Sequence, residues 1–387
     1  MEDTTINQSD DDELLEGEAG GSFTELDKVY PNAEVRVEKA QYSTIHLKRL
    51  VEERMELIID PDFQRDNVWT KNQGSELVES ILMGIPIPTM YFFEMRNGKK
   101  QVVDGRQRIT AILDFLNNNL VLKDLKILHQ YNGYRFSQLD SKMQGIFEDY
   151  QLSFYIIQPP TPERVKYDIF DRVNRGGTKL NSQEMRSALY RGRSTKLLLE
   201  LSRSDEFLKA TDRSIECKRK KNQYVILRAI AFYLYNQKVE EMTSLNGEPI
   251  EYKSDIDDFL AKIMAFLNEK AEDRMIEECK AMFTKAMDNC FRIMGADSFR
   301  FDSEGPRKRP INMPLFEVMV YIFSYDCVNN NPTLTKSEVN HFKEKFDHQQ
   351  MFSGNVDSSL NLSERFRIAR ELIKKIENDT ENSYTQL

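Results

Sequence analysis

The hydrophobic pattern changes its period between residues 90 and 116. Residues 100–103 are predicted to be a strand because they follow Asn97-Gly98, a dipeptide typical of two-residue hairpin turns in which both residues have positive φ. Residues 90–95 are the predicted partner strand. After Asp104-Gly105 the apolar residues recur at helical spacing, at Ile109, Ile112, Leu113 and Leu116. The pattern therefore predicts a strand that turns into a helix.

Helix boundaries are well specified at two further places. Thr70 is a predicted N-cap for a helix that carries Leu77, Val78, Ile81 and Leu82 on one face, and Gly84 fits the position after its end. Asn181 and Glu184 have the spacing of a capping box. Strands and helices mix up to about residue 190, and only helices are predicted beyond it, at 193–209, 222–238, 254–269, 271–295, 312–328, 335–346 and 363–378.

This pattern predicts an α+β fold class, that is, a mixed α/β domain followed by an all-helical domain. The predicted organisation is an acidic disordered tail at 1–33, a mixed domain at 34–190, a helical domain at 191–378 and a flexible C-terminus at 379–387. The net charge of −9 is concentrated in the tail, because residues 1–27 hold ten acidic residues and no Lys or Arg. The tail is either an arm that competes with nucleic acid for a basic groove or a solubilising segment.

Composition narrows the class of protein further. No segment approaches 18 consecutive apolar residues, and the N-terminus lacks the charged-then-apolar pattern of a signal peptide. The four cysteines, Cys217, Cys279, Cys290 and Cys327, are widely spaced and are expected to be reduced thiols in the core. These features predict a cytoplasmic protein without a membrane partner.

The predicted strand-to-helix turn carries the strongest candidate chemistry. Gly105, Arg106, Gln107 and Arg108 lie where backbone N–H groups and the positive end of a helix dipole favour an anion. The two guanidinium groups add positive charge. The turn therefore suits a phosphate.

Four motifs, in order along the chain, carry a family resemblance. They are Asp62-Phe63-Gln64-Arg65 followed by Trp69, residues 77–88, residues 104–110, and residues 170–186. In this order and spacing they resemble the N-terminal domain of GmrSD-type modification-dependent restriction enzymes. The resemblance covers residues 40–190 well and the helical half more loosely. The family's usual central motif is DGQQR, and here Arg106 stands at its first glutamine, which adds positive charge.

The resemblance implies a ParB/sulfiredoxin-like fold in which the loop-to-helix turn binds the phosphates of a nucleoside triphosphate. Relatives hydrolyse nucleotide, serve in bacterial anti-phage defence and often sense modified DNA bases. The implied catalytic residues are Asp104, Gln107 and Arg108, with Arg108 on phosphate and Asp104 ordering Mg²⁺ or a water. The other implied nucleotide-binding residues are Gln64, Arg65, Gly105, Arg106, Thr110, Asn174 and Arg175.

Structural alternatives exist for three of these assignments. Asp104 can instead cap the following helix. Gln64-Arg65 can form a structural salt bridge, and residues 174–177 can be a Gly-rich turn without a ligand.

Two basic clusters are candidates for contacts with duplex DNA. They precede predicted helices and consist of Lys218, Arg219, Lys220 and Lys221, and of Arg307, Lys308 and Arg309. The alternatives are solvated helix faces or a site for a protein partner.

The pattern of a nuclease is missing. Multidomain relatives carry an HNH-type half with closely spaced histidines, whereas this chain has only His46, His129, His341 and His348, and no metal site is predicted. Any cleaving activity is therefore expected in a partner protein. The sequence favours a nucleotide hydrolase that gates DNA-directed defence. The alternatives are a nucleotide-switched DNA-binding or scaffold protein without turnover, and a nucleotide-independent toxin or regulatory subunit.

Overall fold

The computed structural model describes residues 35–59, 69–95, 97–159, 181–239, 242–245, 247–303 and 307–385, together with residues 15, 161, 169 and 305. These residues fall into two compact units. One unit ends at Leu189, and the other runs from Tyr190 onward and includes Leu15, whose side chain is buried.

A five-stranded mixed sheet organises the first unit. Its strands are β1 (Arg36–Ser43), β2 (Leu57–Ile58), β3 (Met90–Glu94), β4 (Lys100–Asp104) and β5 (Gln151–Gln158). They lie in the order β1-β5-β3-β4-β2. The pairs β1–β5 and β3–β4 are antiparallel, and the pairs β3–β5 and β2–β4 are parallel. The sheet confirms the predicted mixed α/β class.

Helices cover both faces of this sheet. They are α1 (Thr44–Lys48), which continues as a π-helix (Arg49–Glu53), α2 (Lys71–Leu82), α3 (Arg106–Leu116), α4 (Ser141–Asp149) and α5 (Ser182–Leu189). Because side chains alternate along a strand, Phe92 packs with the apolar stripes of α2 and α3, whereas Phe93 packs on the other face with Ala188 of α5.

The predicted helix caps of this unit are confirmed. Thr70 and Gln73 form a capping box at the start of α2, and Gly84 follows its end with a φ of 73°. At α5, Asn181 and Glu184 each accept the backbone N–H of the other at 2.8 Å. The sequence alone therefore specified both helix starts.

The turn between β3 and β4 differs from the predicted two-residue hairpin. The N–H of Met95 donates to the carbonyl of Lys99 at 2.8 Å, so three residues separate the pair. Gly98 has a φ of 79°, but Asn97 does not have positive φ, and its side-chain oxygen accepts the N–H of Lys99 at 3.0 Å. The prediction of a two-residue turn was therefore wrong. The same dipeptide also fits a three-residue loop, because such a loop needs positive φ only at its last residue, which here is Gly98.

The second unit is helical, as predicted. Its helices are α6 (Arg193–Leu201), α7 (Asp205–Ala210), α8 (Lys221–Asn236), α9 (Ile256–Glu269), α10 (Asp273–Met294), α11 (Met313–Phe323), α12 (Pro332–Phe346), α13 (Gln350–Ser353) and α14 (Ser359–Thr385). The helix predicted at 193–209 is split because Ser204 caps a new helix. Residues 379–385, predicted as a flexible C-terminus, are the last turns of α14. In the part of the chain that the structure describes, no helix combines the length and apolar character needed to cross a membrane.

Candidate functional site

The strand-to-helix turn is built around Gly105. Strand β4 ends at Asp104 and α3 begins at Arg106, and Gly105 between them has φ 96° and ψ 7°. A Cβ at this position would approach Cγ of Met90 to 2.2 Å. Glycine is therefore needed both for the left-handed backbone and for the close approach of β3.

An ion pair spans this turn. Nη2 of Arg108 donates to Oδ2 of Asp104 at 2.5 Å, and Nη1 of Arg108 donates to the carbonyl of Pro88. The side chain of Arg108 is only 13% exposed, against 29% for Asp104. Arg108 thus ties the helix to the end of β4 and to the segment before β3, and it does so with two of its five N–H donors.

The start of α3 has no side-chain cap. Asp104 does not cap the helix, since its carboxylate accepts from Arg108. Arg106 and Gln107 are half-buried in the first turn, and Thr110 is exposed. The turn keeps the features that favour an anion, namely the helix dipole and two guanidinium groups within three residues.

Four of the predicted nucleotide-binding residues lie outside the described residues. They are Gln64, Arg65, Asn174 and Arg175. The structure therefore brings together the part of the site that comes from residues 104–110, and the roles of the other four stay predictions.

Glu79 on α2 is a buried carboxylate that sequence analysis missed. It accepts the backbone N–H groups of Lys126 at 3.1 Å and of Ile127 and Leu128 at 2.8 Å. Burial raises the pKa of Glu79, but the three N–H donors outweigh this effect, and the pKa is lowered overall. The three N–H groups would suit an anion, and the carboxylate of Glu79 already occupies them. Glu79 therefore holds the loop at residues 126–128 against α2.

The basic cluster at Arg307, Lys308 and Arg309 is largely neutralised. Nζ of Lys308 lies 2.9 Å from Asp297 and 3.4 Å from Asp212, and Nη1 of Arg309 lies 2.8 Å from both oxygens of Asp347. Arg307 is exposed. Ion pairing favours a structural role for Lys308 and Arg309.

The other basic cluster forms a strained turn. Lys218–Lys220 is a single 3₁₀ turn directly before α8, in which Arg219 has a φ of 55° and Lys220 a φ of 59°. Lys218 and Arg219 are exposed. Non-glycine residues with positive φ are uncommon and often occur at functional sites. This cluster is therefore the stronger candidate for phosphate contacts.

A buried ion network in the helical unit was also missed. Arg228 of α8 and Arg365 of α14 both donate to Glu317 of α11, and none of the three side chains is exposed. Arg228 also pairs with Asp357 at 2.6 Å. The available signal was a charged residue within an apolar run of each of two helices, Arg228 in the interior of α8 and Glu317 in α11.

The described residues contain no group of three His, Cys, Asp or Glu side chains able to hold a metal ion. His341 lies on α12, but that helix ends at Phe346, so His348 is not on the same helix face. The cysteines at 279 and 290 are buried thiols, and burial raises the pKa of Cys279 to about 12.

These features define a mixed α/β domain whose candidate site is an anion-favouring turn between a central strand and a helix. Residues 47–191 match the family model described as the GmrSD restriction endonuclease, N-terminal domain. This match confirms the predicted family resemblance for that part of the chain, which is less than half of its length, and suggests a component of a restriction- or defence-type system. No curated protein matches the chain.

Proposed function

We propose that the chain is the nucleotide-binding and nucleotide-hydrolysing component of a bacterial restriction-type defence system that acts on or senses DNA. The observation that carries the proposal is the turn at Asp104, Gly105 and Arg108. There an uncapped helix start, a carboxylate and a guanidinium converge on the end of a central strand. Such a turn suits the phosphates of a nucleoside triphosphate.

The residues present fit a magnesium–nucleotide complex. Mg²⁺ is usually held by one or two carboxylates together with substrate phosphates, and it neutralises charge on the phosphates when bound. Asp104 would supply the carboxylate, because Arg108 occupies only its Oδ2. Arg108 would orient a phosphate with its remaining N–H donors. Gly105 allows the left-handed backbone and the close contact with Met90 on which the turn between Asp104 and Arg108 depends.

Contacts to DNA are proposed for the second unit. The exposed turn with Lys218 and Arg219 supplies positive charge at the start of α8. A duplex backbone is the matching partner because phosphate contacts require exposed cations and no particular base sequence. Cleavage of DNA is assigned to a separate nuclease or effector.

A second candidate is a nucleotide-switched DNA-binding or scaffold protein without turnover. The observation that favours it is the Asp104–Arg108 ion pair, because the two residues assigned to catalysis hold each other in this structure. If the Asp104–Arg108 ion pair persists when nucleotide is bound, the turn binds nucleotide without hydrolysing it.

The experiment is phosphate release from ATP, GTP, CTP and UTP with Mg²⁺, with and without duplex DNA. Wild type is compared with Arg108→Ala and with Arg54→Ala, a control at an exposed arginine of the same unit. Phosphate release that Arg108→Ala abolishes and Arg54→Ala retains supports hydrolysis at this turn. Stimulation of phosphate release by duplex DNA supports a role in sensing DNA. Nucleotide binding without turnover supports the second candidate.

A further inference from the structure

Strand β1 forms one edge of the five-stranded sheet. Among the described residues it pairs with β5 alone, in a register that is regular over the whole strand. Val37 in the strand and Val35 just before it are 47% and 46% exposed. The strand at the opposite edge, β2, has only two residues, whereas β1 has eight. A long, regular edge strand can pair with another strand, because it presents N–H and C=O groups along its outer side.

The features that usually protect such an edge from pairing are weak in β1. Proteins protect edge strands with bulges, prolines and projecting lysines. The pairing of β1 with β5 has no bulge, and the strand contains no proline. Its lysine, Lys39, lies over the ring of Tyr155 on β5, with Nζ 5.5 Å from the ring centre. Lys39 is therefore drawn along its own sheet, and β1 remains able to pair with a further strand.

Opposite charges lie close together on this edge. Arg36 and Glu38 are both exposed, and because they are two residues apart they lie on the same face of the sheet. Val37 lies between them and points to the other face. Oε2 of Glu38 accepts Nε2 of Gln158 at 3.0 Å, which holds the carboxylate near the edge. The start of β1 thus carries both signs of charge on one face and an exposed valine on the other.

We infer that β1 pairs with β1 of a second copy of this chain, antiparallel, with Val37 facing Val37 of the second copy. In a two-fold symmetric pair of antiparallel strands the axis passes between a residue and its own copy, so each register has one central residue. With Val37 at the centre, Arg36 of each copy lies opposite Glu38 of the other. This register therefore creates two cross-strand pairs of opposite charge.

The other symmetric registers are less favourable. Those centred on Arg36, Glu38 or Lys39 place two like charges opposite each other. Those centred on residues 40–42 avoid like charges within β1 but bring no opposite charges together. The register with Val37 at the centre also removes the exposed valine side chains from water. The resulting dimer joins two five-stranded sheets into one continuous sheet.

The test reverses charges in the full-length chain and measures the oligomeric state by sedimentation velocity over a series of protein concentrations. Arg36→Glu and Glu38→Arg each place like charges opposite each other twice, so we expect each to weaken the dimer about tenfold. The double variant Arg36→Glu/Glu38→Arg brings opposite charges together again and should dimerise within about threefold of wild type. Lys142→Glu, at an exposed lysine of α4, is the control for the same reversal of sign and should dimerise like wild type.

Each of the other outcomes overturns the inference. A wild-type chain that is monomeric at every concentration would show that β1 does not pair with a second copy, and would leave the edge to a strand of another protein. A dimer that both single variants retain in full would place the interface elsewhere. A double variant that dimerises as weakly as the single variants would exclude the register centred on Val37. Thermal unfolding of every variant checks the fold, and the double variant decides the register even if a single reversal unfolds the chain, because it keeps the net charge of wild type.

Discussion

The carboxylate of Asp104 and the guanidinium of Arg108 form an ion pair across the turn from β4 to α3. The pair joins the two ends of the candidate site, one on a strand and one on a helix. Since Arg108 also donates to the carbonyl of Pro88, it holds three chain segments together. The residue proposed to contact phosphate therefore also positions the turn, and the two roles must be separated by experiment.

Arg108→Lys separates charge from geometry. Lysine keeps the positive charge but cannot bridge Asp104 and the Pro88 carbonyl with a planar fork. We expect about 1–2 kcal/mol loss in the free energy of unfolding, since the pair is partly buried, and a loss of at least tenfold in phosphate release. Urea unfolding and the release assay check this. A variant that keeps full turnover would show that the bridging geometry is not needed for catalysis.

Gly105→Ala tests the close approach of the turn to β3. The new methyl group would meet Met90 at 2.2 Å, and alanine would also be strained at a φ of 96°. We expect a loss of about 2–4 kcal/mol in the free energy of unfolding. Gly98→Ala is the matched control, because Gly98 has a φ of 79° but nothing within 4 Å of the added Cβ. It should lose only the backbone part, about 1–2 kcal/mol. Equal losses would mean that contact with Met90 is unimportant.

Glu79 makes stability depend on pH. Its pKa in the folded protein is lowered from the ordinary value of 4.5 because three backbone N–H groups outweigh its burial. The stabilisation is therefore present above pH 4.5 and is lost as the pH falls through the folded pKa. Glu79→Gln should cost about 1–3 kcal/mol at pH 7, since one amide oxygen replaces a charged carboxylate at the three donors.

The measurement for Glu79 is urea unfolding of wild type and Glu79→Gln at pH 7, 4.5 and 3. The gap between the two proteins should narrow as the pH falls. A gap that stays constant down to pH 3 would show that the carboxylate charge does not stabilise the cradle.

Periodicity and capping chemistry predicted much of the fold. The capping boxes at Thr70 and Asn181 were predictable because each depends on residues three positions apart. The hairpin turn was not, because Asn97-Gly98 fits both a two-residue and a three-residue loop, and the flanking strands decide between them.

The site was predictable only as far as it is local in sequence. Asp104, Gly105 and Arg108 lie within five residues, so the turn that joins them follows from one strand and one helix. Two other contacts were not predictable because their partners are distant in sequence. Arg108 and Pro88 are 20 positions apart, and Glu79 and Ile127 are 48 positions apart. Such contacts depend on tertiary packing that a single sequence does not display.

The two basic clusters should behave differently in DNA binding. Lys218 and Arg219 are exposed on a strained turn, whereas Lys308 and Arg309 are held by acidic side chains of the same unit. Alanine at Lys218, Arg219, Lys220 and Lys221 together should weaken binding of duplex DNA and reduce the slope of log affinity against log salt by about 1 per lost phosphate contact. Alanine at Lys308 and Arg309 should instead lower the free energy of unfolding and leave the slope unchanged. Fluorescence anisotropy with labelled duplex over a salt series measures the slopes. An unchanged slope in the variant at Lys218, Arg219, Lys220 and Lys221 would show that this cluster is a solvated surface without phosphate contacts. A reduced slope in the variant at Lys308 and Arg309 would show that DNA displaces Asp297 and Asp347 from their ion pairs.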